Sequence, residues 1–156
     1  MTPVSSREVA LMLTLRARDD LVRAARAIPA DRRDWRPHPL ANSAVRIVAH
    51  CAAANLFYAS VIGAGPLPYR TEEERAEAID ACDTLERAEA LLNRGVTALC
   101  DALVGYPEVR LSEQMTMPWG ERVAAPLGLL LGSSHMQYHE GQLNYIQTLL
   151  GDDEQH

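Results

Sequence analysis

The sequence contains no lysine: all 15 of its basic residues are arginine. Schiff-base chemistry and a lysine general base are therefore excluded, because both need a side-chain amine. A Walker-type phosphate-binding loop is excluded as well, since its lysine is the residue that reaches the phosphates. Any chemistry that this chain performs depends on other side chains.

Net positive charge, cysteine and large aromatic residues are also scarce. The formal net charge of -6 and the pI near 5.3 argue against nucleic acid as a partner, because phosphate binding needs clustered positive charge. Cys51, Cys82 and Cys100 show no zinc-binding spacing, and an odd number of cysteines is typical of reduced thiols in the cytoplasm. A single Phe in a chain that is 47% hydrophobic, chiefly Ala, Leu and Val, favours helix packing over a sheet.

Residues 1–20 have no basic segment followed by a long apolar one, so we expect no signal peptide. No run approaches the roughly 20 apolar residues that a membrane-spanning helix needs, so we expect no membrane partner. A chain of 156 residues fits one domain with a sizeable core. We therefore expect residues 1–156 to form a single cytoplasmic domain.

Apolar residues recur at helical spacing in four long segments that are bounded by proline or glycine. Four long amphipathic helices with one long crossover between the second and the third predict an all-α fold, a four-helix bundle. The predicted helices lie near residues 5–28, 44–62, 83–104 and 126–150.

The connections carry signals of their own. Either Asn42 or Ser43 can cap the second helix. In the long crossover, Thr71 and Glu74 resemble a capping box, which predicts a short helix there. Residues 105–125 predict a small β-hairpin or an extended strap before the fourth helix.

The fourth helix contains the most informative segment. His135 and His139 are four residues apart, so they share one helix face, with Cβ atoms about 5–6 Å apart. They continue an apolar stripe that faces the bundle, where buried imidazoles need partners. His50 lies in the apolar second helix. Together the three histidines predict a site for one divalent ion, Zn²⁺ or Ni²⁺, with open positions of the kind found in catalytic sites.

Residues around this trio are weaker candidates. Gln142 lies one turn past His139 on the same face, where it can support a ligand or simply pack. Glu140 lies about 100° around the helix, so we expect it to face solvent or neighbouring helix residues rather than to act as a general base. Cys51 adjoins His50 but points about 100° away, so we do not expect it to close the site. The other two histidines lie outside the long helices: His38 and His156.

Packing expectations attach to four more residues. Gly141 sits inside a helix at a cost of about 1 kcal/mol in propensity, so we expect it to allow close approach of another helix or of the strap. Tyr58, Tyr138 and Trp119 either line a pocket or a dimer contact or, as is commoner for isolated aromatic residues, belong to the core.

Taken in order, these features resemble the DinB/YfiT-like family. The resemblance implies an up-down-down-up four-helix bundle, a divalent metal held by the three histidines, and a homodimer. Relatives in that family include S-transferases and isomerases that use low-molecular-weight thiols such as bacillithiol or mycothiol. This chain has Tyr138 and Glu140 where many members carry Arg or a second His. The matching elements are Trp35-Arg36-Pro37, the segment 43–50, Gly120 in the strap, and His135-x-x-x-His139-x-Gly141-Gln142.

Two classes of function remain open. The first is a metal-dependent enzyme acting on a small molecule, most simply a small-thiol-dependent S-transferase, or else a hydrolase that uses water as nucleophile. The second is a non-catalytic, stress-associated bundle that keeps the metal for stability or sensing. A fourth protein ligand would favour the second class. The nearly uncharged second helix, together with the resemblance, predicts a homodimer through helix faces.

Overall fold

A computed structural model describes residues 4–154 and 156, so the ends of the expected single domain at residues 1–3 and 155 lie outside the described residues. Within that range the chain is mostly helical, with six α-helices and one small antiparallel sheet of two strands. The elements are α1 (Ser6–Ala27), α2 (Ala44–Ile62), α3 (Glu72–Asp80), α4 (Leu85–Gly105), β1 (Gln114–Thr116), β2 (Arg122–Ala124), α5 (Ala125–Leu129) and α6 (Leu131–Leu149).

Side-chain caps explain where the helices begin. Ser43 Oγ accepts a hydrogen bond from the backbone N–H of Arg46, so α2 begins one residue later and spans the predicted 44–62. Thr71 Oγ1 caps α3 in the same way by accepting from the N–H of Glu74. The Glu74 carboxylate, however, accepts from the backbone N–H of Arg70 rather than from that of Thr71. The predicted crossover helix is thus confirmed, with half of the predicted capping box.

The strap also folds as predicted. β1 and β2 pair in antiparallel register, with Met115 opposite Val123. Gly120 in the turn between them has φ +89, a left-handed conformation that favours glycine. The two strands directly precede α5 and the helix that carries two of the histidines.

The fourth predicted helix, 126–150, is wrong as one continuous element. The backbone N–H of Leu130 bonds to Leu127 O, one residue closer than in an α-helix, and the ladder resumes where Ser134 bonds to Leu130 O. This tightened turn separates α5 from α6. Pro126 in the first turn starts the shorter helix, as expected for proline at that position.

Two close approaches hold α2 against its neighbours. A Cβ atom at Gly95 of α4 would lie 2.6 Å from the backbone oxygen of Ala52 in α2. A Cβ atom at Gly132 of α6 would collide with Leu99 and lie 3.2 Å from Asn55 Oδ1. Asn55 also donates from Nδ2 to Met136 Sδ at 3.2 Å, which ties α2 to α6 one residue from His135. These contacts fix the relative positions of the two helices that carry the histidines.

α2 corrects the expectation that no segment could cross a membrane. Among the described residues it is the one helix that is long and apolar enough by length and composition, with a mean hydropathy of 1.5 over its best window. That window is 61% buried inside the protein, chiefly against α4, and no residue of α2 is exposed. A core helix passes the same test, and α2 is placed as one.

Candidate metal centre

Three imidazole rings converge between α2 and α6. The ring centroids of His50 and His135 are 4.9 Å apart, those of His50 and His139 are 4.8 Å apart, and those of His135 and His139 are 4.6 Å apart. Nε2 of His50 lies 3.1 Å from Nε2 of His135. Two imidazole nitrogens bound to one tetrahedral ion at 2.0–2.1 Å would be about 3.3 Å apart, close to this separation.

The rings come together because helix geometry and helix packing both require it. His135 and His139 share one face of α6 since one turn separates them, and T-shaped packing brings their rings into contact. His50 reaches them from α2, which the small residue Gly132 allows to approach α6 closely. His139 is buried, with 6% of its surface exposed.

Burial keeps these imidazoles neutral. Desolvation is the largest effect and lowers the pKa of His50 to about 4, assisted by the nearby His139, Arg75 and Arg46. Desolvation, followed by the other two histidines and Arg75, lowers the pKa of His135 to about 3. The pKa of His139 is also lowered by desolvation, against the opposing effect of its hydrogen bond to Gln142. Neutral imidazole is the form that binds metal ions.

Gln142 orients one of the rings. Its Oε1 lies 2.8 Å from Nδ1 of His139. Because an amide oxygen can only accept, Nδ1 carries the ring proton and donates a hydrogen bond to Oε1. The lone pair of His139 is then on Nε2. Of the two alternatives for Gln142, support of a ligand or simple packing, the structure thus shows a direct contact with the His139 ring.

The donor set fits a divalent transition metal. Only the three histidines form a potential metal-binding group of His, Cys, Asp or Glu within the described part of the chain, and their ligand atoms all lie within 4.8 Å of one another. Nδ1 of His135 is buried and has no hydrogen-bond partner there, so no described protein group compensates for the loss of water at this nitrogen. Imidazole nitrogens suit zinc, copper, iron and nickel.

The three aromatic residues divide between the two alternatives: Tyr58 packs against the core, whereas Tyr138 lines a cavity. Tyr58 lies on α2, two turns after His50, and its ring packs edge-on against His135 at 6.0 Å. Tyr138 and Trp119 are not core residues, because 66% and 56% of their surfaces are exposed. Trp119 is exposed because it lies at the tip of the hairpin. Its ring stacks on Phe57 with the centroids 6.4 Å apart, and its Nε1 donates a hydrogen bond to Glu121 Oε2 at 3.0 Å.

Gly141 does not serve the close approach expected of it. A Cβ atom there would meet nothing within 4 Å, and the residue is exposed. It lines a cavity of about 550 Å³ that also includes Gln142, Tyr138 and Tyr145. Since Gln142 touches both this cavity and His139, the cavity adjoins the histidine cluster.

A smaller cavity of about 120 Å³ opens beside His50. Arg46 lines it from one turn earlier on α2, and Arg75 lines it from α3. Asn42 lines both cavities. Neither arginine is predicted as a site residue from the sequence: the spacing of Arg46 from His50 could have indicated the first, whereas nothing in the sequence places α3 at the site.

The weaker candidates lie elsewhere. Cys51 is fully buried in the core, which raises the pKa of its thiol. Glu140 lines a surface cavity with Arg16 and Arg23 of α1 and stays away from the trio. His38 accepts a hydrogen bond from Leu40 N in the loop before α2, and His156 pairs with Asp152 at 2.8 Å.

Solved structures share this fold. A conserved protein from Enterococcus faecalis superimposes with a TM-score of 0.75 at 17% identity, over 96% of this chain and 100% of that one. A DinB-like protein from Bacillus subtilis gives a TM-score of 0.65 at 20% identity, over 94% of each chain. A mycothiol-dependent maleylpyruvate isomerase gives 0.68 at 19% identity over 88% of this chain. The chain spans 60% of that isomerase, and the likeness shows the fold alone.

No curated protein matches the sequence. The family profile described as the DinB superfamily, in contrast, matches residues 13–143. That range includes the three histidines, Gln142, and the two arginines beside His50, Arg46 and Arg75. The chain belongs to the DinB superfamily, as its sequence motifs predict.

Proposed function

We propose that His50, His135 and His139 hold one divalent ion, Zn²⁺ or Ni²⁺, and that the protein is a small-thiol-dependent S-transferase. The observation that carries the proposal is the convergence of three neutral imidazoles with no fourth protein ligand in the described residues. Structural zinc sites are closed by four protein ligands, whereas catalytic ones keep an open position. When bound, such an ion lowers the pKa of a thiol or water at that position.

The chain's own cysteines do not supply the thiol. Burial raises the pKa of Cys51, Cys82 and Cys100, so none of the three is activated as a thiolate. Cys51 is moreover enclosed in the core. A thiol that reacts at this site must therefore come from outside the protein, as a cosubstrate. The mycothiol dependence of the isomerase that shares the fold supports the same assignment.

Other residues have defined tasks in this proposal. Gln142 holds the proton on Nδ1 of His139 and so presents Nε2 to the ion. The cavity of about 550 Å³ that Gln142 shares with Tyr138 and Tyr145 receives the body of the substrate. Tyr58 packs on His135 and keeps water from one side of that ring. No described carboxylate joins the trio as a general base, which favours a thiol over water as nucleophile.

Metal analysis of protein purified without affinity nickel tests the site. We expect one ion per chain in the parent and the loss of most of it in His50→Ala, His135→Ala or His139→Ala. The helices should persist, because long apolar stripes rather than the metal hold them together. His38→Ala is the matched control, since His38 lies in an exposed loop and should leave the metal content unchanged. A triple variant that retains metal as well as the parent would refute the proposed site.

A panel of thiols and electrophiles then tests the reaction. Consumption of the electrophile that needs both metal and thiol supports an S-transferase. Turnover with metal but without thiol indicates the hydrolase alternative. Bound metal without turnover over the whole panel indicates the non-catalytic, stress-associated bundle.

We further propose a cytoplasmic homodimer whose long helices run up-down-down-up. The reducing compartment suits three free cysteines. α2 cannot provide the dimer surface by itself, because none of its residues is exposed. α1 has exposed apolar side chains that suit a helix-face contact, among them Val9, Met12 and Leu15. A monomer mass that does not change with concentration in light scattering would exclude the dimer.

A further inference from the structure

We infer that Arg46 and Arg75 form a carboxylate-binding subsite beside His50, so that one of the reactants is a small carboxylic acid. The inference rests on the proposed function, because it identifies a substrate class for the same site. The two guanidinium groups come from different elements, α2 and α3, and line one cavity together with His50 and Asn42.

Helix geometry places Arg46 beside His50. It lies four residues before His50 on α2, so the two side chains share one helix face. α3 lies nearby and contributes Arg75 to the lining of the same cavity. The cavity between them, about 120 Å³, has room for a group of a few heavy atoms such as a carboxylate.

Charged side chains of both signs surround the cavity. Among its lining residues, Arg46 and Arg75 bring two positive charges and Glu72 brings one negative charge, while Asp80, outside the lining, pairs with Arg46. A divalent ion at the trio would add further positive charge beside the same cavity.

Both arginines keep donors for a ligand. Arg75 uses Nε and Nη2 to bond Glu72, and Arg46 pairs through Nη1 with Asp80. A guanidinium has five donors, so Nη1 of Arg75 and both Nε and Nη2 of Arg46 have no partner among the residues that the structure describes.

The existing ion pairs orient the arginines more than they neutralise them. The side chains of Glu72 and Asp80 are 79% and 59% exposed, against 34% for Arg75 and 29% for Arg46. The carboxylates thus lie toward solvent, where such pairs contribute little free energy. A substrate carboxylate in the more enclosed cavity can bond both guanidinium groups at once.

Two thiols that differ only at the far end test the subsite: 3-mercaptopropionate and 3-mercapto-1-propanol. Each is titrated into cobalt(II)-loaded protein, and the visible cobalt spectrum reports binding without any turnover. We expect the parent to bind the carboxylate thiol about tenfold more tightly, as charge-assisted hydrogen bonds predict. Arg46→Gln and Arg75→Gln should each reduce this preference, and the double variant should abolish it. Arg87→Gln is the control, since Arg87 is paired to Asp83 on the surface and should keep the preference.

Three outcomes would overturn the inference. They are equal affinity for the two thiols in the parent, a preference that survives in the double variant, and equal loss in Arg87→Gln. The second outcome would mean that the carboxylate binds the cobalt itself. Failure to load cobalt, or a spectrum that no thiol changes, would instead refute the proposed function.

A second titration assigns the carboxylate to one reactant. Propionate is added to protein already saturated with 3-mercapto-1-propanol. If propionate and the thiol bind together, the subsite is supported and the carboxylate belongs to the electrophile. If propionate displaces the thiol, the subsite is also supported and the carboxylate belongs to the thiol. Neither result is expected from the Arg46→Gln, Arg75→Gln double variant.

Discussion

Replacing Gly95 and Gly141 by alanine, one at a time, tests which glycine the helices need for close packing. Both lie inside α-helices, where Ala is favoured over Gly by about 1 kcal/mol. At Gly141 the new methyl group meets nothing within 4 Å, so we expect a gain in stability of about 0.5–1 kcal/mol. At Gly95 it would meet a backbone oxygen of α2 at 2.6 Å, which cannot rotate away. Overpacking of this kind costs about 2 kcal/mol, of which the helix propensity of Ala offsets about 1 kcal/mol, so we expect a net loss of about 1 kcal/mol.

Urea unfolding of the metal-free proteins, followed by circular dichroism, measures the difference. The two variants should differ by the overpacking cost of about 2 kcal/mol, which corresponds to about 1 M in the unfolding midpoint for an m-value of about 2 kcal/mol/M. Gly95→Ala should also lower metal affinity, because a shift of α2 changes the position of His50 relative to the two histidines of α6. The packing argument would be refuted by a Gly141→Ala protein that is less stable than the parent, or by a Gly95→Ala protein that is at least as stable as the parent.

Three further predictions concern the site and its surroundings. Gln142→Ala should weaken zinc binding about 10–100-fold in a chelator competition, because His139 loses the acceptor that orients it; the exposed Gln137→Ala should not, and equal affinities would contradict the role of Gln142. The pKa values of about 4 for His50 and about 3 for His135 lie below the ordinary 6.5, so the unfolded chain binds more protons as pH falls. Stability of the metal-free protein should therefore be full above about pH 6.5 and fall progressively below it; a urea midpoint that is constant or higher at pH 5 would be inconsistent with neutral, buried rings. Cys51 should react with iodoacetamide only after unfolding, since it is enclosed and its thiol pKa is raised; rapid labelling of Cys51 in the native protein, read by mass spectrometry, would argue against this burial.

The histidine cluster was within reach of the sequence because local geometry determines most of it. The spacing of His135 and His139 places both on one face, and the apolar stripe points that face inward. The Ser43 cap similarly defines the start of α2. Each of these signals acts within a few residues, so tertiary structure had little opportunity to override it.

The remaining features depend on packing between distant segments. Gly141 and Gly95 look alike in sequence, yet only Gly95 faces the backbone of a neighbouring helix. Arg75 reaches the site because α3 crosses near the start of α2, which no local pattern encodes. Trp119 is exposed because the hairpin carries it to a turn at the edge of the fold. The break at Leu130 shifts a single hydrogen bond and leaves the apolar periodicity on either side intact.

The stacking of Trp119 on Phe57 gives the protein an intrinsic optical reporter. The chain has two tryptophans, and they sit in different surroundings: Trp35 packs against the core, whereas Trp119 is half exposed on the hairpin. Trp119 should therefore emit fluorescence at the longer wavelength, and Trp35→Phe would isolate its signal. Because Phe57 adjoins Tyr58, which packs on His135, a ligand that displaces the hairpin changes this emission. Binding of a ligand that moves the hairpin can thus be followed in the unlabelled protein, in real time and without a coloured metal.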